Sequence, residues 1–223
     1  MPQLIRYQLA LLLRSQRWLP PVLLFAFLIV AGQFGGQQYG DSLGWCAAML
    51  LPCTGWITRT VLTGEPGPAR ACVAATCGPR RAHLAALCTA LIVGAVLAMV
   101  AGVFEWVLSS PPQGVAHPPL VAIARDGGTA ILIGLLVGTA LGAVCAPPLL
   151  NRPATAVLSL AGVSLALLVA PGSPVNSAIR DAFTSDSADA ATTFPALPLL
   201  GAVLLLAAGW AVALRAAERG LPD

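Results

Sequence analysis

Residues 84–108 read LAALCTALIVGAVLAMVAGVFEWVL and contain a single charged side chain, Glu105. A helix rises about 1.5 Å per residue, so a stretch of this length can cross a hydrocarbon core of ~30 Å. Within lipid the backbone has no water to bond, and a lone segment satisfies its own N–H and C=O groups only as a helix. The stretch therefore predicts a transmembrane helix, and this prediction decides the fold class.

Five further apolar stretches accompany this one, and the composition is that of a chain embedded in a bilayer. Hydrophobic residues make up 57% of the chain, charged residues make up 9%, and the mean hydropathy is +0.83. A soluble domain of this length could not hide so much apolar surface from water. We predict an all-α polytopic membrane protein whose single transmembrane domain covers residues 1–223. The six predicted spans are residues 18–34, 43–62, 84–108, 129–146, 154–170 and 197–214.

The arginines set the predicted orientation, because cytoplasmic loops of membrane proteins are enriched in basic residues. With the N-terminus inside, only Arg125 and Arg180 of the 12 cationic side chains lie outside, and the chain has no lysine. An even number of spans returns the C-terminus to the cytoplasm. We therefore predict a multi-pass protein of the cell membrane with both termini cytoplasmic. The arginines predicted to be cytoplasmic are Arg6, Arg14, Arg17, Arg59, Arg70, Arg80, Arg81, Arg152, Arg215 and Arg219.

The N-terminal residues 1–17 predict an amphipathic helix lying in the membrane interface. Three arginines and Gln3 fall near one face at helical spacing, leucines cover most of the rest, and Trp18 is an interface anchor. An Arg-rich start before an apolar run is also typical of a signal peptide, which is the alternative interpretation. In the first interpretation, the helix leads directly into the first span.

The most informative hydrophilic stretch, residues 63–83, has the pattern of a short helix between two breakers. A proline suits the first turn, the residues after it are good or neutral helix formers, and a Gly-Pro pair gives a stop signal. The helix predicted over residues 68–77 is too short and too polar to cross a membrane, and it is followed by Arg80 and Arg81. We predict a helix at the cytoplasmic surface that inserts into a groove on a partner protein.

Catalytic, nucleotide-binding and metal sites are not expected. A phosphate-binding P-loop requires a lysine, so ATP hydrolysis would need another polypeptide. No histidine falls within a predicted span to act as base for a serine nucleophile. His83 and His117 fall on opposite sides of the predicted topology, and Cys72 and Cys77 are spaced too widely for a zinc site. We expect no catalytic residue, no metal, no cofactor and no nucleic-acid partner for this chain.

Two features inside the predicted spans suggest local roles. Glu105 is the only acid within a span, one turn from its outer end. It is interpreted either as an interfacial residue paired with Arg125 or as a residue lining an outer gate, because intramembrane charge often marks a pathway. Gly134, Gly138 and Gly142 recur every four residues and predict a helix face for close packing.

The order of these elements resembles the membrane permease subunits of ABC transporters, in the six-span exporter class called type V. Those permeases combine an amphipathic N-terminal helix, two spans, a coupling helix, three spans, an outer re-entrant segment and a last span. Many carry a glutamate after the second span and a proline closely followed by an arginine before the third. Glu65, Pro79, Arg80 and Arg81 match this pattern, although Ala-Arg-Ala-Cys-Val replaces the usual Gly-Thr-Leu-Glu.

The resemblance implies a permease subunit of an ATP-driven exporter. Its partners would be a separate ABC ATPase, a second permease copy or paralogue, and membrane lipid. It also implies that residues 171–195 form an outer re-entrant segment around a helix at 175–183, with a solvated loop as the alternative. The alternative functions are a secondary transporter or channel subunit that works without an ATPase, and a membrane scaffold protein. The residues that the resemblance assigns to ATPase coupling are Glu65, Arg70, Arg80 and Arg81.

Overall fold

A computed structural model describes residues 1–33, 37–111, 120–186 and 194–219. The predicted all-helical fold is confirmed in this part of the chain, which contains no strand and one isolated β-bridge, between Gln38 and Ser110. The helices are α1 (Pro2–Ser15), α2 (Leu19–Gly32), α3 (Tyr39–Gly64), α4 (Gly67–Cys77), α5 (Pro79–Leu108), α6 (Leu120–Val144), α7 (Pro153–Val169), α8 (Pro174–Thr184) and α9 (Ala196–Arg219).

Three helices, α5, α6 and α9, are long and apolar enough to cross a membrane, and the number rises to five if two bent helix pairs each form one span. The pairs are α1 with α2, bent by 76°, and α7 with α8, bent by 51°. Taken alone, α2 has 14 residues and α7 has 17, which is less than a hydrocarbon core requires. The described helices therefore indicate a membrane protein with three to five candidate spans.

The helices α5 and α6 begin five and nine residues earlier than the apolar pattern predicts. Instead of starting at residue 84, α5 starts at Pro79, because proline fits the first turn of a helix and Gly78, at φ 86°, ends α4. The helix α6 begins at Leu120, nine residues before the predicted start of its span, so Arg125 and Asp126 lie within it. Both helices therefore extend beyond their apolar stretches and include charged residues.

At the centre of the bundle lies α3, which packs against α2, α5, α6, α7 and α8. Its buried residues include small and hydroxyl-bearing side chains, and Thr54 and Thr58 bond to carbonyl oxygens of the preceding turn at 2.9 Å and 2.7 Å. This internal bonding lets polar residues sit in the core without unmet hydrogen bonds. The same polarity explains why α3, which runs unbroken through Pro52, is not among the candidate spans.

Gly134, Gly138 and Gly142 of α6 lie against α3. A Cβ atom at Gly134 would stand 2.7 Å from the backbone oxygen of Ala47, and one at Gly142 would stand 2.7 Å from Cβ of Thr58. At Gly138 the added atom would overlap the backbone of α3. The backbones of the two helices therefore approach so closely that only hydrogen fits between them at these positions.

The segment before α9 is partly described and packs onto the bundle. Its helix, α8, is close to the predicted bounds, and Ser173 caps it by accepting a bond from the Val175 N–H at 3.3 Å. Beyond α8, the Asp186 carboxylate accepts bonds from the N–H groups of Gly40 and Asp41 at 2.8 Å and 3.3 Å. This carboxylate caps the start of α3, where N–H groups have no partner within the helix. Residues 187–193 of the predicted outer segment lie outside the described part.

At the opposite end of α3, the N-terminal helix packs onto the bundle. The Gln8 amide donates to Glu65 Oε2 at 3.1 Å, and both side chains are buried. The chain turns by 76° between α1 and α2. A buried polar bond thus holds α1 at the end of the central helix.

Candidate functional site

The region around α4 is the first candidate site. This helix contains no buried residue and is bounded by Pro66 before it and Gly78 after it. Gly78 adopts φ 86°, a conformation that favours glycine because side chains with a Cβ rarely adopt it. Two breakers therefore hold a short, exposed helix at the end of the bundle that also contains Glu65 and the first turn of α5.

The four residues assigned to ATPase coupling divide into two groups. Glu65 is 8% exposed and accepts the bond from Gln8. Arg70 donates to the carbonyl oxygen of Leu62 at the last turn of α3. Both side chains therefore connect α4 and its surroundings to the bundle. Arg80 and Arg81 are exposed on the first turn of α5 and are accessible to a partner.

Arg80 also lies near the end of α9. Its Nε atom is 3.9 Å from Oε1 of Glu218, and the two side chains are 70% and 46% exposed. An ion pair this long and this exposed contributes little to stability, because water screens it. Arg80 can therefore exchange Glu218 for an acidic group on a partner at small cost.

A cleft of about 300 Å³, lined by both polar and apolar side chains, lies between α4 and the α6–α7 connection. Arg70 and His83 line one side, and Pro147, Pro148 and Asn151 line the other. Nε2 of His83 is buried and has no hydrogen-bond partner among the described residues. Within the described chain, α4 packs mainly on α5, and the bond from Arg70 to Leu62 connects it to the end of α3.

The second candidate site surrounds Glu105 near the opposite end of α5. Glu105 is 1% exposed, and its Oε2 accepts a bond from the Gln33 amide. Ser109 donates to Ser42 at 2.6 Å, and the Gln33 amide lies 3.4 Å from the Ser42 hydroxyl. These four side chains form a largely buried polar cluster between α2, α3 and α5, and we call it the outer polar cluster after the orientation predicted from the sequence.

The expected pairing of Glu105 with Arg125 is not found. Nε of Arg125 lies 2.7 Å from Oδ1 of Asp126, its neighbour on α6, and Glu105 bonds to Gln33 instead. Oε1 of Glu105 is buried and has no hydrogen-bond partner in the described chain. Glu105 therefore lies inside the helix bundle. Trp106, the next residue in the chain, stacks on Tyr39 with the ring centroids 4.7 Å apart.

The described part of the chain contains no set of side chains that could bind a metal ion. No group of three or more His, Cys, Asp or Glu side chains is close enough to hold an ion, and the six cysteines are free. Cys46, Cys53 and Cys145 are buried, where cysteine packs as a small hydrophobic residue. His117 lies outside the described residues.

Three polar residues that connect helices were not singled out from the sequence: Gln8, Gln33 and Asp186. Gln8 and Gln33 each bond to a carboxylate distant in the chain, and Asp186 caps a helix that begins near residue 39. Of these three residues, only Gln33 could have been identified from the sequence, because a polar side chain at the end of an apolar run often has a partner inside the bundle. No family model matches the chain, and neither a curated protein nor a solved structure matches it.

Proposed function

We propose that this chain is the permease subunit of an ATP-driven ABC exporter, with six spans in the cell membrane and both termini in the cytoplasm. The single observation that carries the proposal is α4, an exposed helix bounded by breakers and placed between two bundle helices. A helix with no fully buried residue gains little stability from packing within its own chain. Its retention as a regular helix is explained by a partner that covers it.

The connections of α4 would transmit a partner's movement into the bundle. Arg70 bonds to the Leu62 carbonyl and thereby ties α4 to the end of α3, while Gly78 joins α4 directly to α5. Because α3 packs along the glycine face of α6, a displacement of α4 acts on the central helix pair. A separate ATPase that binds α4 could in this way switch the access of the substrate pathway.

The exposed arginines supply charge for the partner contact. Arg80 and Arg81 follow α4 immediately, so an acidic rim around the receiving groove would pair with them. A second permease copy or a paralogue would complete the transporter in the membrane. The apolar side chains exposed along α5, which include Val96, Met99 and Val103, face lipid or that second subunit.

One observation favours the alternative, an ATPase-independent secondary transporter. The outer polar cluster holds a buried carboxylate whose Oε1 has no partner among the described residues, and intramembrane acids of this kind often serve ion coupling. In that case transport would follow an ion gradient, and no ATPase would be required. Transport in proteoliposomes with an imposed gradient and without ATP would identify this class.

Purification from the native host tests the proposal. The tagged chain, extracted in mild detergent, should carry a soluble ATPase with Walker motifs in a fixed ratio. The Arg80→Glu/Arg81→Glu variant should lose most of that ATPase while its own yield and elution volume stay unchanged. Arg152→Glu is the matched control, because Arg152 is exposed at the start of α7, where an acid is favourable. Full ATPase retention by the double variant would contradict the proposal.

A further inference from the structure

An apolar groove of about 240 Å³ runs along the outside of the bundle between α2, α3 and α7. Pro21 and Phe25 of α2 form one wall, Met49 and Cys53 of α3 form the floor, and Leu160 of α7 forms the other wall. All of these side chains are apolar or nearly so. The one charged residue that lines the groove is Arg59 of α3.

Arg59 lies at the end of the groove that is nearest to α4. The Cys53 thiol donates to the Pro21 carbonyl at 3.5 Å and the Trp45 indole donates to the Leu28 carbonyl at 3.0 Å, which fixes α2 antiparallel to α3. Arg59 is six residues beyond Cys53, about 9 Å further along α3. It therefore lies past the start of α2, where the chain turns by 76° into α1.

The length of the groove matches one leaflet of a bilayer. On α3 its lining runs from Met49 to Arg59, which is about 15 Å at the rise of a helix. Half of a hydrocarbon core of ~30 Å has the same depth. Since the hydrophilic helix α4 follows within a few residues, Arg59 stands at the boundary between acyl chains and headgroups.

The charge of Arg59 has no anionic partner among the described residues. There its Nε atom is buried without a hydrogen-bond partner, and the ion pairs involve Arg80 and Arg125 instead. A guanidinium group stays charged in proteins, so it cannot remove the cost of partial burial by releasing a proton. Bilayers contain phosphate groups at this depth, and a guanidinium binds phosphate through two parallel hydrogen bonds.

We propose that this groove binds an anionic phospholipid from the leaflet that borders α4. The lipid phosphate bonds to the guanidinium group of Arg59, and one acyl chain lies along the apolar groove between α2, α3 and α7. Trp56, which is 38% exposed and lines the groove, contacts the upper part of that chain. The site is separate from α4 and from the outer polar cluster, so it does not depend on the proposed function.

Quenching of Trp56 fluorescence tests the site. The protein is reconstituted into phosphatidylcholine vesicles that contain an increasing fraction of a lipid with brominated acyl chains. This lipid is phosphatidylglycerol in one series and phosphatidylcholine in the other. Subtracting the signal of Trp56→Phe isolates the contribution of Trp56. One arginine near a headgroup contributes about a fivefold preference for the anionic lipid. Phosphatidylglycerol should therefore half-quench Trp56 at about a fivefold lower fraction than phosphatidylcholine, and Arg59→Gln should bring the ratio close to one.

Two further variants separate the headgroup from the acyl chain. Ala161→Phe fills the groove from α7, where residue 161 is exposed, and should reduce quenching by both lipids. Arg81→Gln removes an exposed arginine outside the groove and should leave the fivefold ratio intact. Equal quenching by both lipids in the wild type, a ratio that survives Arg59→Gln, or a ratio lost in Arg81→Gln would each overturn the proposal. Stronger quenching by a brominated fatty acid than by phosphatidylglycerol would also overturn it, in favour of a single-chain amphiphile.

Discussion

Replacing Gly138 by alanine should force α3 and α6 apart. A Cβ atom at this position would overlap the Leu51 carbonyl oxygen and the Thr54 hydroxyl. The carbonyl belongs to the backbone of α3, and the hydroxyl bonds to the Leu50 carbonyl at 2.9 Å, so neither can rotate out of the way. One of the two helices must shift to make room for a single methyl group.

The cost of this shift follows from the packing. At Gly134 an added Cβ would be 2.7 Å from a backbone oxygen, already closer than the 3.0 Å that real Cβ atoms keep, and the overlap at Gly138 is larger. Overpacking usually costs ~1–3 kcal/mol, and a gap of ~0.5–1 Å along the interface loses a quarter to a half of its dispersion energy. We expect a loss of about 3 kcal/mol, which lowers Tm by about 6–12 °C in a chain of this size.

A matched control is available on the same helix. No atom lies within 4 Å of a Cβ added at Gly128, and alanine is favoured over glycine within a helix by ~0.5–1 kcal/mol. Gly128→Ala should therefore keep or raise Tm, and Gly134→Ala should fall between it and Gly138→Ala. Melting of all three variants is measured in one detergent. The reasoning fails if Gly138→Ala melts at the temperature of Gly128→Ala.

Three polar contacts give further predictions. Burial raises the pKa of Asp186 above its ordinary 3.8, so the folded chain holds this proton more tightly than the unfolded chain, and stability should fall as pH rises above about 4. Asp186→Asn should flatten this dependence in a series of melting curves, and an unchanged slope would contradict the assignment. Glu65→Leu should lower the free energy of unfolding by ~1–3 kcal/mol because it leaves the buried Gln8 amide without an acceptor, whereas Glu65→Gln should cost less. Glu105→Leu should cost a similar ~1–3 kcal/mol through the Gln33 amide, and Glu105→Gln should melt close to the wild type if the carboxylate serves only as a hydrogen-bond acceptor.

The helices could be predicted from the sequence, but the number of spans could not. Apolar length and breakers fixed α4, α7 and α8 to within one residue, because proline and glycine mark their ends. The start of α5 was placed five residues too late, since Arg80 and Arg81 break the apolar pattern without breaking a helix. Apolar length also does not show whether α2 crosses the membrane alone or together with α1, because the bend between them depends on packing.

The candidate sites show which information a linear pattern lacks. The glycine spacing on α6 indicated a contact face, yet only the folded chain identifies α3 as the helix it meets. The resemblance grouped Glu65 and Arg70 with Arg80 and Arg81 as coupling residues. Their burial and their bonds to Gln8 and Leu62 depend on α1 and α3, so no local pattern could separate the two pairs.

Photo-crosslinking from α4 in intact cells tests the central claim most directly. A photoreactive amino acid at Ala75, which is exposed on α4, should attach to a soluble ATPase with Walker motifs on illumination. The same group at the exposed Ser110, at the opposite end of α5, should attach to no such protein. The account predicts the ATPase adduct at Ala75 alone, identified by mass spectrometry. Adducts of an ATPase at Ser110, or none at Ala75 in cells where the chain is transport-competent, would contradict it.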